Sequence, residues 1–284
     1  MVISFILSHG CQYSIARMCR LLGISRSGYY DSVSVCSSGV DLVRARLIEL
    51  FWYHKRRYGS RRLVVALSRE GHYVGRGQVM RMMREEGLVA LQPRSFVPRT
   101  TQSHPYLRRS PNLLLESGLP SALDRVWVGD ITYLPLLGGG WAYLAVWMDL
   151  YSRYIVGWRV RAHMKARLVL KAFEQGIYHR SPAKGLVVHS DGGGQYGAKK
   201  FRALLSRKGF VQSMTRKDNH YDNAHVESLF GRLKTELLSE GRFKSVEEAQ
   251  SRCFEYIELY YNPIRLHSSL GYQSPHEFEA KIKK

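Results

Sequence analysis

Residues 126–134, Val126-Trp127-Val128-Gly129-Asp130-Ile131-Thr132-Tyr133-Leu134, are rich in β-branched and aromatic side chains and carry one acid at their centre. Such a run reads as a strand. The acid is poorly explained by packing, because burying an unpaired charge is costly. Two more runs of the same kind follow at 141–150 and 153–160, set apart by Leu137-Gly138-Gly139-Gly140 and by Tyr151-Ser152, so the three read as an antiparallel meander. Beyond them the apolar spacing predicts a helix over 165–178, a strand at 185–190, a helix at 197–208, a strand near 210–214 and a long helix from about Asp222 to Glu240.

The resulting order, βββαβαβα, is that of a ribonuclease-H-like α/β fold, a mixed five-stranded sheet flanked by helices. On this map Asp130 lies within the first strand and Asp191 ends the fourth. If those two strands are parallel neighbours where the strand order reverses, the crevice between them is the expected site. Glu227 lies on the long helix, with 35 residues between it and Asp191. Three converging carboxylates repel one another unless divalent cations neutralise them, and hard oxygen ligands suit two Mg²⁺ ions, with Mn²⁺ able to substitute. That chemistry serves phosphoryl transfer. Each acid also has a plainer role open to it: Asp191 suits a turn before Gly192-Gly193-Gly194, and Glu227 a solvated helix position. Among competing acids, Asp149 reads as a turn cap and Asp222 as a helix N-cap. Asn223 and Lys234 share the helix face of Glu227, so Lys234 is a candidate for gripping a phosphate. His189, His220 and His225 lack zinc-ligand spacing, and no Gly-Lys-Ser/Thr follows the glycines.

The chain has 284 residues and 43 Lys and Arg against 23 Asp and Glu, a net charge of +20 spread as +11 over residues 1–120 and +9 over the rest. With 45% hydrophobic residues this is a packed protein whose partner is a polyanion. The four cysteines show no paired spacing, no apolar run nears the roughly 20 residues of a membrane span, and the opening segment lacks a leader's basic region. These features point to a cytoplasmic, nucleoid-associated protein with no membrane contact.

Tyr13 to Ser32 has helix-turn-helix spacing, with apolar Met18, Leu22, Ile24 and Tyr29, small Cys19, and Gly23 in the turn. Arg26 and Ser27 would open a recognition helix; an ordinary helical hairpin is the alternative. A second helical pair is expected near 60–70 and 75–86, with Val79, Met82 and Met83 as core. Ahead of it Lys55, Arg56, Arg57, Arg61 and Arg62 put five cations in eight residues, a phosphate-binding composition. The layout is therefore a helical DNA-binding region over 1–90, a proline-containing linker over 91–120, the catalytic core over 121–241 and a helical extension over 242–284. In that extension Ser274-Pro275-His276-Glu277 reads as a capping box. Arg265 and His267 fit either DNA contact or a loop packed on the core.

The segments WVGDITYLP, WAYLAVWMDLYSRYIVGW, HSDGGGQY, HYDNAHVESLFGRLKTE and YYNPIRLHSSLGYQSP resemble the integrase-core DDE transposases of bacterial insertion sequences. The resemblance is to the downstream product of the type encoded in two overlapping frames. It implies metal-dependent cleavage and strand transfer at element ends, with the family's acids falling on Asp130, Asp191 and Glu227. It implies copy-out, paste-in transposition through a circular intermediate. The expected partners are double-stranded DNA (terminal inverted repeats and target), further copies of the chain on that DNA, and an upstream-frame protein or fusion. Gly192 departs from the pattern, since many relatives carry Arg there. A non-catalytic DNA-binding regulator and a ribonuclease H or junction nuclease are the other readings of the same residues.

Overall fold

The computed structural model describes residues 2–9, 13–34, 37–92, 110–118, 120–216, 224–238 and 241–282. The chain forms two compact units, Met1–Ala90 and Leu91–Lys284.

The first unit is helical: α1 (Val2–His9), α2 (Ile15–Leu21), α3 (Arg26–Ser34), α4 (Ser37–Tyr53), α5 (Ser60–Arg69) and α6 (Arg76–Glu85). Ile6, Met18, Cys19 and Tyr29 bury a small core between the first three helices. The α2–α3 turn requires Gly23 at φ +70, and Ser25 Oγ caps α3 by accepting the Gly28 N–H. Leu22 lies in that turn exposed, not in the core its spacing suggested. Val79, Met82 and Met83 are buried as expected. Arg44 pairs with Glu85 and Glu86, and Arg46 with Glu70, joining α4 to the helical pair that follows.

The second unit is built on a sheet of β1 (Val126–Pro135), β2 (Trp141–Asp149), β3 (Ile155–Arg161), β4 (Val187–Ser190) and β5 (Val211–Met214), in the order β3-β2-β1-β4-β5. The meander is antiparallel, while β4 is parallel to both β1 and β5. A one-turn α7 (Leu114–Ser117) precedes the sheet. Then come α8 (Ala166–Arg180), α9 (Lys199–Lys208), α10 (Ala224–Leu237), α11 (Val246–Tyr256) with a π turn at Ile257–Tyr261, and α12 (Pro275–Ile282). The mixed five-stranded architecture is the one expected.

Strand periodicity divides the side chains between two faces. On one, Trp127, Ala145 and Trp147 pack with Leu168, Ala172 and Phe173 of α8 and with Phe201 and Leu204 of α9. The packing is tight: a Cβ on Gly129 would lie 2.4 Å from the Trp147 ring, so only glycine admits that indole beside β1. The other face meets α10 and α11. There Glu236 accepts hydrogen bonds from Tyr256 Oη and from Arg265, whose side chain is 1% exposed. Arg265 is thus a core residue paired 29 positions away in sequence, and buried His267 stacks edge-on against Tyr261. The packed-loop reading of that segment holds.

Side chains also hold the sheet's margins. Asn262 donates to the Ile155 carbonyl and accepts from the Ile155 N–H on β3, and Gln175 accepts from Trp158 N–H. At the other margin, Leu113 N–H donates to Ser213 Oγ and Met214 N–H to the Pro111 carbonyl, so residues 111–113, expected as linker, attach to β5. The capping box forms reciprocally between Ser274 and Glu277. Asp149 accepts the N–H groups of Tyr151 and Ser152, the turn-capping role its position suggested. Among the described residues no helix is long and apolar enough to cross a membrane.

Candidate active site

The β1–β4 ladder pairs Val126 with Val187 and ends at Gly129 with Ser190. Asp130 is the next residue of β1, and Asp191 is the residue just after β4. The ladder thus ends, where the strand order reverses, one residue short of two carboxylates in matching positions. Both are partly exposed. Asp130 Oδ1 accepts the Ile131 N–H at 2.7 Å, and Asp191 Oδ1 accepts the Gly193 N–H at 3.0 Å. Asp191 therefore does shape the glycine turn, as its plainer reading held.

Tyr196 reports on both acids. Its ring is packed against Trp147 and Phe201, and burial pushes its phenol well above the ordinary range, with the Asp130 and Asp191 carboxylates adding to the rise. It stays a neutral hydroxyl between the apolar core and the two charges. Sequence reasoning missed it, although the signal lay in the HSDGGGQY segment, whose last residue it is.

The helix α10 packs against β1 and carries Glu227 and Lys234. Lys234 is half-buried; burial lowers its pKa and the Asp130 carboxylate opposes that shift, so its ammonium is within electrostatic reach of the acid. The side chain of Glu227 lies outside the described residues, as do Asn223 and the proposed helix cap Asp222. Among the described residues no three His, Cys, Asp or Glu side chains converge as metal ligands. The two carboxylates that are described fit a divalent cation: hard oxygen donors, partly exposed, on adjacent strands. His189 does not join them, since it is buried with Nδ1 2.8 Å from Ser213 Oγ.

The remaining candidates lie in the first unit. Arg26 and Ser27 are exposed at the start of α3. Lys55, Arg56 and Arg61 are exposed and Arg57 half-buried, while Arg62 stacks on Tyr58, its guanidinium 5.6 Å from the ring centroid. Lys55 and Arg56 both take positive φ, 49° and 62°, an uncommon pair for non-glycine residues in one turn.

Sheet order and flanking helices define an integrase-type catalytic core. Residues 120–220 match the Integrase core domain family, residues 227–282 match a second family of that description, and residues 40–96 match the HTH-like domain family. That last match falls on α4 to α6, downstream of the Tyr13–Ser32 segment whose spacing suggested the motif. The chain is 41% identical over 268 residues to the insertion element IS600 uncharacterized 31 kDa protein of Shigella sonnei, covering 93% of this chain and 98% of that one. It is 37% identical over 283 residues to the transposase InsF for insertion sequence IS3A of Escherichia coli (strain K12), covering 98% of each. Among solved structures it is similar to the HTLV-2 integrase catalytic core domain in complex with magnesium, 15% identical with a TM-score of 0.41, over 55% of this chain and 95% of that one. The chain belongs to the IS3 family of insertion-sequence transposases, alongside InsF.

Proposed function

We propose that this transposase cuts and joins DNA strands at the ends of its insertion sequence with Asp130, Asp191 and Glu227 as a DDE triad holding two divalent cations, Mg²⁺ by preference. The observation that carries the reading is the register of β1 and β4, which extends by one step to two carboxylates side by side, with α10 bringing Glu227's helix against the same strand. When bound, the cations would supply charge stabilisation for the attacking and leaving oxygens of an in-line displacement. The chain's own residues do the rest. The carboxylates fix position because their strands are locked in a sheet, and Tyr196 closes the apolar side as a neutral phenol, excluding water. Lys234 steers a phosphate next to the scissile bond, with Asn223 beside it. Copy-out, paste-in transposition through a circular intermediate, a requirement for an upstream-frame partner, and assembly of several copies on the DNA belong to the same reading.

The division of labour follows the two units. Residues 1–90 would recognise element ends through Arg26, Ser27, Lys55, Arg56, Arg57, Arg61 and Arg62, and the second unit would perform the chemistry. Asp130→Asn, Asp191→Asn and Glu227→Gln are each expected to abolish cleavage and joining of element-end duplexes in Mg²⁺ while leaving DNA binding in place. Full cleavage by any one of them would overturn the triad; loss of catalysis together with all DNA binding would favour a regulator's binding surface instead.

A further inference from the structure

The carboxyl end of β3 and the first two turns of α8 enclose a cleft of about 300 Å³ that the proposed reaction does not use. Arg159 and Arg161 sit two apart on β3 and so share the face that α8 covers; Arg167 and Lys171 sit four apart on α8; His163 lines the cleft from the connecting loop, with Leu168 as the apolar contribution. Three guanidinium groups, an ammonium and an imidazole thus share one concavity. Among the described residues Glu174 is the carboxylate paired with this cluster, 2.7 Å from Lys171 Nζ. Arg161 Nη1 donates to the Val160 carbonyl, and the buried Nε of Arg159 has no hydrogen-bond partner among the described residues. The helix adds to the same sign, since the 15-residue α8 has no acid in its first turn and presents the positive end of its dipole there.

Packing does not account for such a cluster. Arg161, His163, Arg167 and Lys171 are exposed, and like charges held together destabilise the fold unless something anionic relieves them. The forked guanidinium suits the paired oxygens of a phosphodiester. Location adds the second argument. β3 runs antiparallel to β2, which runs antiparallel to β1, so Arg161 and His163 emerge at the same end of the sheet as Asp191. Gln195 Nε2 donates to the Met164 carbonyl at 3.1 Å, tying the β3–α8 loop to the loop that follows Asp191.

We propose that the β3–α8 cleft is a second phosphate-binding site, gripping the backbone of duplex DNA away from the scissile bond through Arg161, Arg167, Arg159 and Lys171. The identity of the polyanion rests on the DNA-acting reading above; the site itself does not depend on the triad.

The test uses the full chain in EDTA, so that neither metal nor cleavage enters. Binding of an element-end duplex and of an unrelated duplex of equal length is measured across a salt series for wild type, Arg161→Ala/Arg167→Ala, and Arg207→Ala/Lys208→Ala, exposed cations on α9 serving as the control. The cleft variant is expected to bind both duplexes at least about tenfold more weakly and to lower the steepness of the salt dependence by about two, close to 0.9 for each phosphate no longer neutralised. Equal weakening on both duplexes is expected because backbone contacts carry no sequence information. Unchanged affinity and slope, or an equal weakening in the α9 control, would overturn the site. Failure of the wild-type chain to bind either duplex would overturn the DNA-acting reading along with it, an outcome distinct from normal binding by the cleft variant.

Discussion

The two ends of the sheet each gather acidic side chains, and they treat them in opposite ways. At the end where β1 begins, Arg180 bonds Glu279 through Nη1 and Nη2 and Asp124 through Nε at 3.1 Å. Asp124 also accepts from Trp127 Nε1. Asp149 takes the N–H groups of Asp124, Tyr151 and Ser152, and the Ser152 hydroxyl lies within hydrogen-bond distance of both Asp149 and Glu279. The Arg180 and Glu279 side chains are 11% and 5% exposed. These bonded charges join β1, β2, α8 and α12. At the other end Asp130 and Asp191 are partly open on adjacent strands, and the nearby cation, Lys234, is itself disfavoured as an ammonium by burial. The same residue type is a fastener where the chain supplies a permanent guanidinium and donors. On the reading proposed here it is a ligand where the neutralising charge must come from solution.

The largest effect expected from that contrast is at the open end. Asp130→Asn or Asp191→Asn should lower strand cleavage by about 1,000-fold or more, the upper scale for removing one charge-stabilising group from an active site. Thermal unfolding without divalent ions should stay level or rise, because a repulsion is relieved. A variant that unfolds instead would make that end a fastener too. At the closed end, Arg180→Ala should cost roughly 3 kcal/mol of stability, because it strands buried Glu279 and half-buried Asp124 without their cation. Chemical denaturation measures this, and a loss under about 0.5 kcal/mol, the size of an ordinary surface substitution, would erase the distinction.

A smaller effect belongs to Lys234→Ala. Strand joining should fall by about tenfold or somewhat more, since a hydrogen bond to a charged group contributes about 1.5–3 kcal/mol. Divalent-ion titration should shift little; wild-type joining rates would leave Lys234 without a part in gripping the phosphate. The smallest effect is one of pH. Burial raises the Asp149 carboxyl above its ordinary 3.8 despite the N–H groups that favour its ionised form. The folded protein therefore holds that proton more tightly than the unfolded chain. This contribution to stability falls as pH rises from about 3.8 through the raised folded value and is level beyond it. Asp149→Asn should flatten the wild-type profile in that window; parallel profiles would assign the slope to other groups.

Much of this was legible in the order of residues. The meander announces itself because Val126 to Leu134 and the two runs after it are β-branched and aromatic between glycine and serine breaks. The helix faces of Val79, Met82 and Met83 repeat at helical spacing. Asp130 stands out because an acid amid such a run has no packing role. Other features are set by contacts that local pattern does not encode. Helix α1 lies in an apolar run without periodicity, and α4 opens on Ser37-Ser38-Gly39, a composition that reads as loop. The Glu236–Arg265 pair joins residues 29 apart, so Arg265 could not be distinguished from a DNA contact before the fold was known. The β3–α8 cleft is likewise invisible in sequence, because Arg159 and Arg167 become neighbours only once α8 folds back over β3.

The bonded margins of the sheet bear on how copies of this chain can meet. Unpaired strand edges invite another chain to add its own strand. Here the outward backbone groups of Ile155 and Trp158 are occupied by Asn262 and Gln175, and two arginines follow on the same strand. The opposite margin is covered by residues 111–113. Among the described residues these contacts leave less of either sheet edge open to a further strand. Should copies of the chain meet, contact through helices or loops is then favoured over a shared sheet.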